Sequence, residues 1–231
     1  MNQWFDELKP GDSWARLWKD YILCSCGAIR RVVGICQNCR QTLSPSERIQ
    51  VRAEDGREYE IPQAYMGGEG RYEDWVYLVM LEREWKRPVG EADRYLDIAE
   101  RSRPAARSVI VLIFWSYFET RIERLLRTAM RNTPEAIVGD LLKRYSSIGS
   151  RLDRLYELLF SSSYWSDLDG LGFESVSHLM RRVHEARNSF SHGHPEAITD
   201  SLIDELVTAL RHEHESWIAV FNHRAVRPLN H

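Results

Sequence analysis

Lysine is scarce in this 231-residue chain: of its 31 basic residues, all but Lys9, Lys19, Lys86 and Lys143 are arginine. Guanidinium forks suit bidentate phosphate contacts, although a source that simply favours Arg codons would leave the same bias. No apolar run approaches the roughly 20 residues that span a bilayer; the longest, residues 109–115, has the length of a core helix segment. Residues 1–7 hold no basic stretch leading into an apolar one, so they do not read as a secretory signal. There is no internal repeat and no low-complexity tract. The net charge of -3 argues against a generally basic nucleic-acid binder, though not against a local basic face. The expectation is a cytoplasmic chain with no membrane partner, in which the four cysteines do not form disulfides. An apolar fraction of 43% and a charged fraction of 28% are ordinary for a globular protein and supply enough material for a core.

The texture changes along the chain. Up to about residue 62 lie all four cysteines, several turn signals and little helical periodicity. Residues 48–52 and 57–61 alternate polar and apolar side chains around Asp55-Gly56, which predicts a hairpin. Residues 66–70, with three glycines, read as a linker. Helical patterns follow at 74–85, 91–101, 104–131, 134–145, 150–160, 174–191 and 200–221. The expected class is mainly α. A small zinc-ribbon and hairpin element occupies residues 1–62, a linker with accessory helices residues 63–103, and a helical bundle residues 104–231.

Cys24 and Cys26 are followed ten residues later by Cys36 and Cys39. Two close pairs on tight turns are what a tetrahedral site needs, and Gly27 and Gly34 supply permissive backbone. The second pair has CxxC spacing; the first, CxC, is tighter. Structural zinc on Cys24, Cys26, Cys36 and Cys39 is therefore expected, with no open position for catalysis. Arg30, Arg31 and Arg40 flank the site, and Trp14, Trp18 and Tyr21 precede it. Such a set can hold single-stranded nucleic acid by phosphate contact and stacking. The simpler expectation is that the aromatics form a very small core while the arginines face water.

Two charges fall on faces that should be apolar. With about 100° per residue, Val111, Leu112, Trp115, Phe118, Ile122, Leu126 and Ala129 share one stripe, and Glu119 lies within it, with Glu123 at its edge and Arg124 opposite. In residues 174–191 the stripe is Val176, Leu179, Met180, Val183, Ala186 and Phe190, and Arg187 lies within it. A buried guanidinium or carboxylate is costly unless paired. Glu119 and Arg187 are therefore expected to meet or to line one cleft, unless Arg187 snorkels outward. His184 lies at the edge of its stripe, His178 has no supporting context, and the run 211–215, with His212 and His214, reads as a solvated helix face.

Arg187-Asn188 begins a stretch that continues to His192-Gly193 near the end of an amphipathic helix. An Arg with a His four to six residues on is expected about three times by chance in such a chain, so the context carries the weight. Arg, a polar residue and then His in this setting resembles the signature of the HEPN superfamily (higher eukaryotes and prokaryotes nucleotide-binding). Tyr117-Phe118-Glu119 is similar to that family's first core helix, which often bears an acidic residue near the site. The resemblance covers about residues 104–223 and leaves out the cysteine region.

The resemblance implies a helical bundle that cleaves RNA without a metal, of the kind found in toxin–antitoxin and anti-phage defence systems. The 2′-OH would attack the adjacent phosphate, leaving a 2′,3′-cyclic phosphate and a 5′-OH. His192 would be the acid–base group and Arg187 would stabilise the phosphorane. Asn188 would contact phosphate or orient His192, and Glu119 would fix Arg187. His194 is the best substitute for His192. Five residues on a helix is about 140° of rotation, so His192 must sit where the helix opens at Gly193. One His does not conveniently serve as base and acid in a single step, so a homodimer with a composite site is expected, restrained by an antitoxin or regulatory protein. Two other readings stand: a non-catalytic HEPN dimer serving as scaffold or nucleotide binder, and a zinc-ribbon nucleic-acid adaptor.

Overall fold

The computed structural model describes residues 14, 17, 21–31, 34–42, 48–52, 58–62, 71–90 and 105–226. Two antiparallel ladders come first: β1 (Tyr21–Leu23) with β2 (Ile29–Arg31), and β3 (Arg48–Arg52) with β4 (Glu58–Pro62). In the second, Arg48 pairs with Pro62 and Arg52 with Glu58, so the expected hairpin forms with its second strand one residue later than the 57–61 of the alternating pattern; the Asp55-Gly56 turn lies outside the described residues. The linker at 66–70 and the helix expected at 91–101 lie outside them too.

The rest is helical: α1 (Arg71–Lys86), α2 (Val109–Ala129), α3 (Glu135–Arg144), α4 (Ile148–Ser150), a π-helical segment (Arg151–Leu155), α5 (Tyr156–Phe160), α6 (Tyr164–Gly170), α7 (Glu174–Ser191), a 3₁₀ turn (Pro195–Ala197) and α8 (Asp200–Ala225). Side-chain oxygens satisfy N-terminal amides where the sequence offers them: Ser147 accepts from Ser150, Ser163 from Ser166 and Thr199 from Leu202. No helix among the described residues is long and apolar enough to cross a membrane.

Helix α6 falls where the sequence reads as loop. Its segment is short and rich in Ser, Asp and Gly, and it is held by tertiary contacts instead. Tyr164, Trp165 and Leu168 are buried, and the Asp167 carboxylate accepts hydrogen bonds from Tyr156, Ser162 and Arg224. Burial opposes ionisation of Asp167, but these three donors outweigh it and hold the carboxyl below its ordinary value. Helix α8 runs four residues past the expected end, to Ala225, whose carbonyl accepts from Arg131 Nη1 at 3.0 Å.

Helix α2 is the axis of the body, with α1, α7 and α8 all packed on it. Most of its expected apolar stripe is buried, with Leu112 and Ala129 half-buried, but so is the flank bearing Phe114, Tyr117, Arg121 and Leu125. Arg121 is 0% exposed, and Glu213 of α8 is 1% exposed. Their side chains meet at 2.6 Å. The Arg121 guanidinium also lies 3.9 Å from the Tyr117 ring centroid and 5.5 Å from that of Trp217. Tyr117 Oη and His214 Nδ1 share a hydrogen bond at 3.0 Å. The expectation of a solvated face for 211–215 is therefore corrected: Arg211, Glu213 and His214 are buried, and only His212 is exposed. A charged run looks solvated when read alone. Here α2 supplies a counter-charge and aromatic faces that make burial tolerable.

A second pair, Arg124 with Asp74 at 2.7 and 2.9 Å, ties α2 to α1. Burial pushes the Glu213 carboxyl up, and the Arg121 guanidinium opposes this. Removing one partner strands the other charge in the core, so Glu213→Ala is expected to cost about 3–5 kcal/mol. The double change Arg121→Met with Glu213→Leu is expected to restore most of that loss. Urea unfolding of the three proteins checks both expectations.

Candidate functional site

The C-terminal end of α7 carries the residues singled out by the motif. Its apolar positions Val176, Leu179, Met180, Val183 and Ala186 are buried and fix its rotation. That places Arg187 half-buried, with Nη1 donating to Asn188 Oδ1 at 3.2 Å. Ser191 Oγ closes the last turn onto the Arg187 carbonyl at 2.9 Å. The helix ends at His192 (φ -96°, ψ 16°), and Gly193 follows at φ 92°, a conformation that costs glycine little. His192 is exposed. His194, also exposed, lies 3.5 Å from Glu196.

Glu119 on α2 is half-buried. Among the described residues no ion pair joins it to Arg187, whose described hydrogen bond goes to Asn188. Both side chains are instead close enough to act on a third residue, His184. The His184 imidazole stacks on the Trp115 ring at 4.9 Å between centroids and 3° between planes. Its Cε1 lies 4.0 Å from the point where a side chain at Gly149 would begin. Asp153, in the π-helical segment, and Glu185 also reach it electrostatically. Burial first, and the Arg187 charge second, lower the His184 pKa from its ordinary value.

His184, Arg187, Asn188 and Ser191 stand at i, i+3, i+4 and i+7, so they share one face of α7. Sequence reasoning placed His184 at the stripe edge without a role. The available signal was its position one turn before Arg187. The stack on Trp115 brings together side chains 69 positions apart and has no local signature.

The cysteine element is built by short-range turns. Gly27 N–H donates to the Cys24 carbonyl and Cys24 N–H to the Ala28 carbonyl, both at 2.8 Å. In the second turn Arg40 N–H donates to the Cys36 carbonyl at 2.8 Å, with Arg40 at φ 61°. All four Sγ atoms lie within 4.8 Å of one another, and no disulfide forms. Cys24 and Cys39 are 3.5 Å apart, and Cys26 and Cys36 are 3.8 Å apart. Metal–sulfur bonds of about 2.3 Å in a tetrahedron require sulfurs about 3.8 Å apart, so the four thiols fit one ion. Desolvation opposes ionisation of Cys26, but the Asn38 amide, 3.3 Å from its sulfur, and the Ala28 backbone outweigh it and draw the thiol down to about 7. At Cys39 the Gln41 backbone favours the thiolate, yet desolvation and the neighbouring sulfurs push it up to about 12. Four thiolates in this space need a cation.

The element is docked on α8. The Ile29 backbone exchanges two hydrogen bonds with the Asn222 side chain, at 2.8 and 2.7 Å. Tyr21 Oη and Arg31 Nη2 both donate to Glu215 Oε1, at 3.0 and 3.1 Å. Trp14 and Tyr21 are buried, but against Trp85 and His214 of the helical body and not in a small core of their own, and of the flanking arginines only Arg40 is exposed; Trp18 lies outside the described residues.

Two outcomes are expected. The purified chain should carry one metal ion, and Cys36→Ser should abolish it, as read by elemental analysis. His184 has a folded pKa below its unfolded value of about 6.5, so its contribution to stability is present above that pH. It is lost as pH falls through the folded pKa. Urea unfolding at pH 7 and pH 5 should show a smaller acid loss for His184→Phe, which keeps the stack on Trp115. No family model, curated protein or solved structure matches this chain.

Proposed function

We propose that this protein is an endoribonuclease of the HEPN type that cleaves RNA by 2′-OH attack without a catalytic metal. The observation that carries the reading is the end of α7. There Arg187 stands half-buried beside Asn188 with no carboxylate partner among the described residues, a few positions before an exposed His192. A guanidinium that serves only to stabilise a core is paired, as Arg121 is with Glu213. Arg187 retains donors for a phosphate.

In the proposed reaction an imidazole takes the proton of the 2′-OH as its oxygen bonds to phosphorus. Arg187 stabilises the charge on the phosphorane. A second imidazole gives a proton to the 5′ oxygen as the P–O bond breaks. Products are a 2′,3′-cyclic phosphate and a 5′-OH. His192 supplies one imidazole, and the His192 of a second copy in a homodimer supplies the other. Asn188 orients phosphate, and Glu119 brings negative charge to the surroundings of His184. The four cysteines hold zinc, whose closed site serves folding. An unrestrained ribonuclease would harm its own cell, so a cytoplasmic antitoxin or regulatory protein is part of the proposal, in the setting of toxin–antitoxin or anti-phage defence.

The test is cleavage of labelled transfer and messenger RNA in excess chelator, with zinc content measured afterwards. His192→Ala and Arg187→Ala should each slow cleavage by about 10²–10⁴. Mixing the two variants should not restore activity, because a mixed dimer holds a single His192 while the reaction uses two. A wild type that is inert, or a His192→Ala protein that cuts at the wild-type rate, overturns the assignment and leaves the non-catalytic scaffold.

A further inference from the structure

A cavity of about 610 Å³ opens where the cysteine element meets the C-terminal end of α8. Asn222, His223 and Val226 of the α8 end line it together with Cys36, Gln37 and Asn38 of the second cysteine turn. Its volume is within the range of small-ligand sites, about 300–1,000 Å³. Among the described residues no carboxylate lines it. Arg30, Gln37, Asn38 and His223 line it, together with the apolar Ile35. Ile35 is 54% exposed.

The polar groups are only partly used. Arg30 Nη1 donates to the Gly34 carbonyl at 2.8 Å, and Arg30 Nε is buried with no partner among the described residues. Gln37 Oε1 accepts from Arg40 at 3.4 Å, which leaves its amide N–H groups to donate. Asn38 gives its amide to the Cys26 sulfur and keeps its carbonyl oxygen. His223 is exposed. The second arginine of the lining, Arg31, is paired with Glu215 and brings little net charge. The end of α8 would ordinarily repel an anion, but Arg131 covers the Ala225 carbonyl.

We propose that this groove holds a stretch of single-stranded RNA, with a phosphate at Arg30 and a base against Ile35. Charge complementarity selects an anion. The apolar Ile35 beside a free donor and a free acceptor selects an anion that carries a flat, partly apolar ring with hydrogen-bonding edges, which is a nucleotide. The groove is open at the surface, so a strand can enter and leave it. This rests on the ribonuclease reading: the groove is a second contact for the substrate, made by the metal-held element on α8 and separate from the α7 end.

The test uses full-length, metal-loaded protein and a fluorescent 12-nucleotide RNA methylated at every 2′ oxygen, which cannot undergo 2′-OH attack. Binding is read by anisotropy across a salt series. Arg30→Ala should weaken binding about tenfold and lower the salt slope by about 0.7, the loss of one phosphate contact on a single strand. Ile35→Glu, at an exposed position that leaves the fold intact, should weaken it at least as much. Metal content and unfolding midpoint unchanged from wild type show that both variants are folded. Equal affinity of wild type, Arg30→Ala and Ile35→Glu overturns the groove, whatever the cleavage result. Competition by a free nucleoside monophosphate as tight as the strand itself replaces the strand with a free nucleotide and overturns the proposal as stated. Binding that depends on Arg30 in a protein that never cleaves RNA sustains the groove while the ribonuclease reading fails.

Discussion

The Arg121–Glu213 pair is the constraint on which the rest of the helical body depends. Both side chains are fully enclosed, so neither charge has water to fall back on. A guanidinium at the centre of α2 must find a carboxylate, and only one rotation of α8 presents Glu213 to it. The aromatic faces of Tyr117 and Trp217 complete the enclosure, and His214 accepts or donates at Tyr117. A purely apolar interface would allow α8 to slide or rotate against α2 at modest cost. The buried pair makes such shifts expensive.

The same rotation of α8 fixes its other face. Glu215 and Asn222 then point toward the N-terminal element and hold Tyr21, Arg31 and the Ile29 backbone. One helix thus reads both ways, with Glu213 and His214 inward to α2 and Glu215 and Asn222 outward to the cysteine turns. The cysteine element is too small to bury much apolar surface by itself. It is stabilised by four thiols around one ion position and by this docking, which also creates the groove at the end of α8.

At the other end of the body, α2 and α7 meet through the Trp115–His184 stack. The stack keeps His184 in a desolvated position beside Arg187 and leaves the end of α7 free to open at Gly193. The π-helical segment brings Asp153 within electrostatic reach of the same imidazole. Such segments widen a helix by one residue and are frequent at sites where a side chain must be re-aimed.

Local pattern alone located most of the helices, the hairpin and the cysteine turns, because each depends on spacing along a few residues. The 3.6-residue period put Val176, Leu179, Met180 and Val183 on one buried face, and the paired cysteines signalled a shared ion. Which charges are buried was not legible. A helical projection supposes one covered side, and from it Glu119 looked enclosed and the run 211–215 looked solvated, while Arg121 was not singled out. Helix α2 is covered by three helices, which encloses the flank carrying Arg121 and draws Glu213 and His214 inward with it. Helix α6 escaped notice for a similar reason, since Asp167 and its distant donor Arg224 hold a segment whose own propensity is weak. The sequence by itself determined where helices and metal ligands lie, through short-range periodicity and spacing. Tertiary structure alone decided which ionisable groups are stripped of water and which keep a free hand, because desolvation is set by every element that surrounds a side chain.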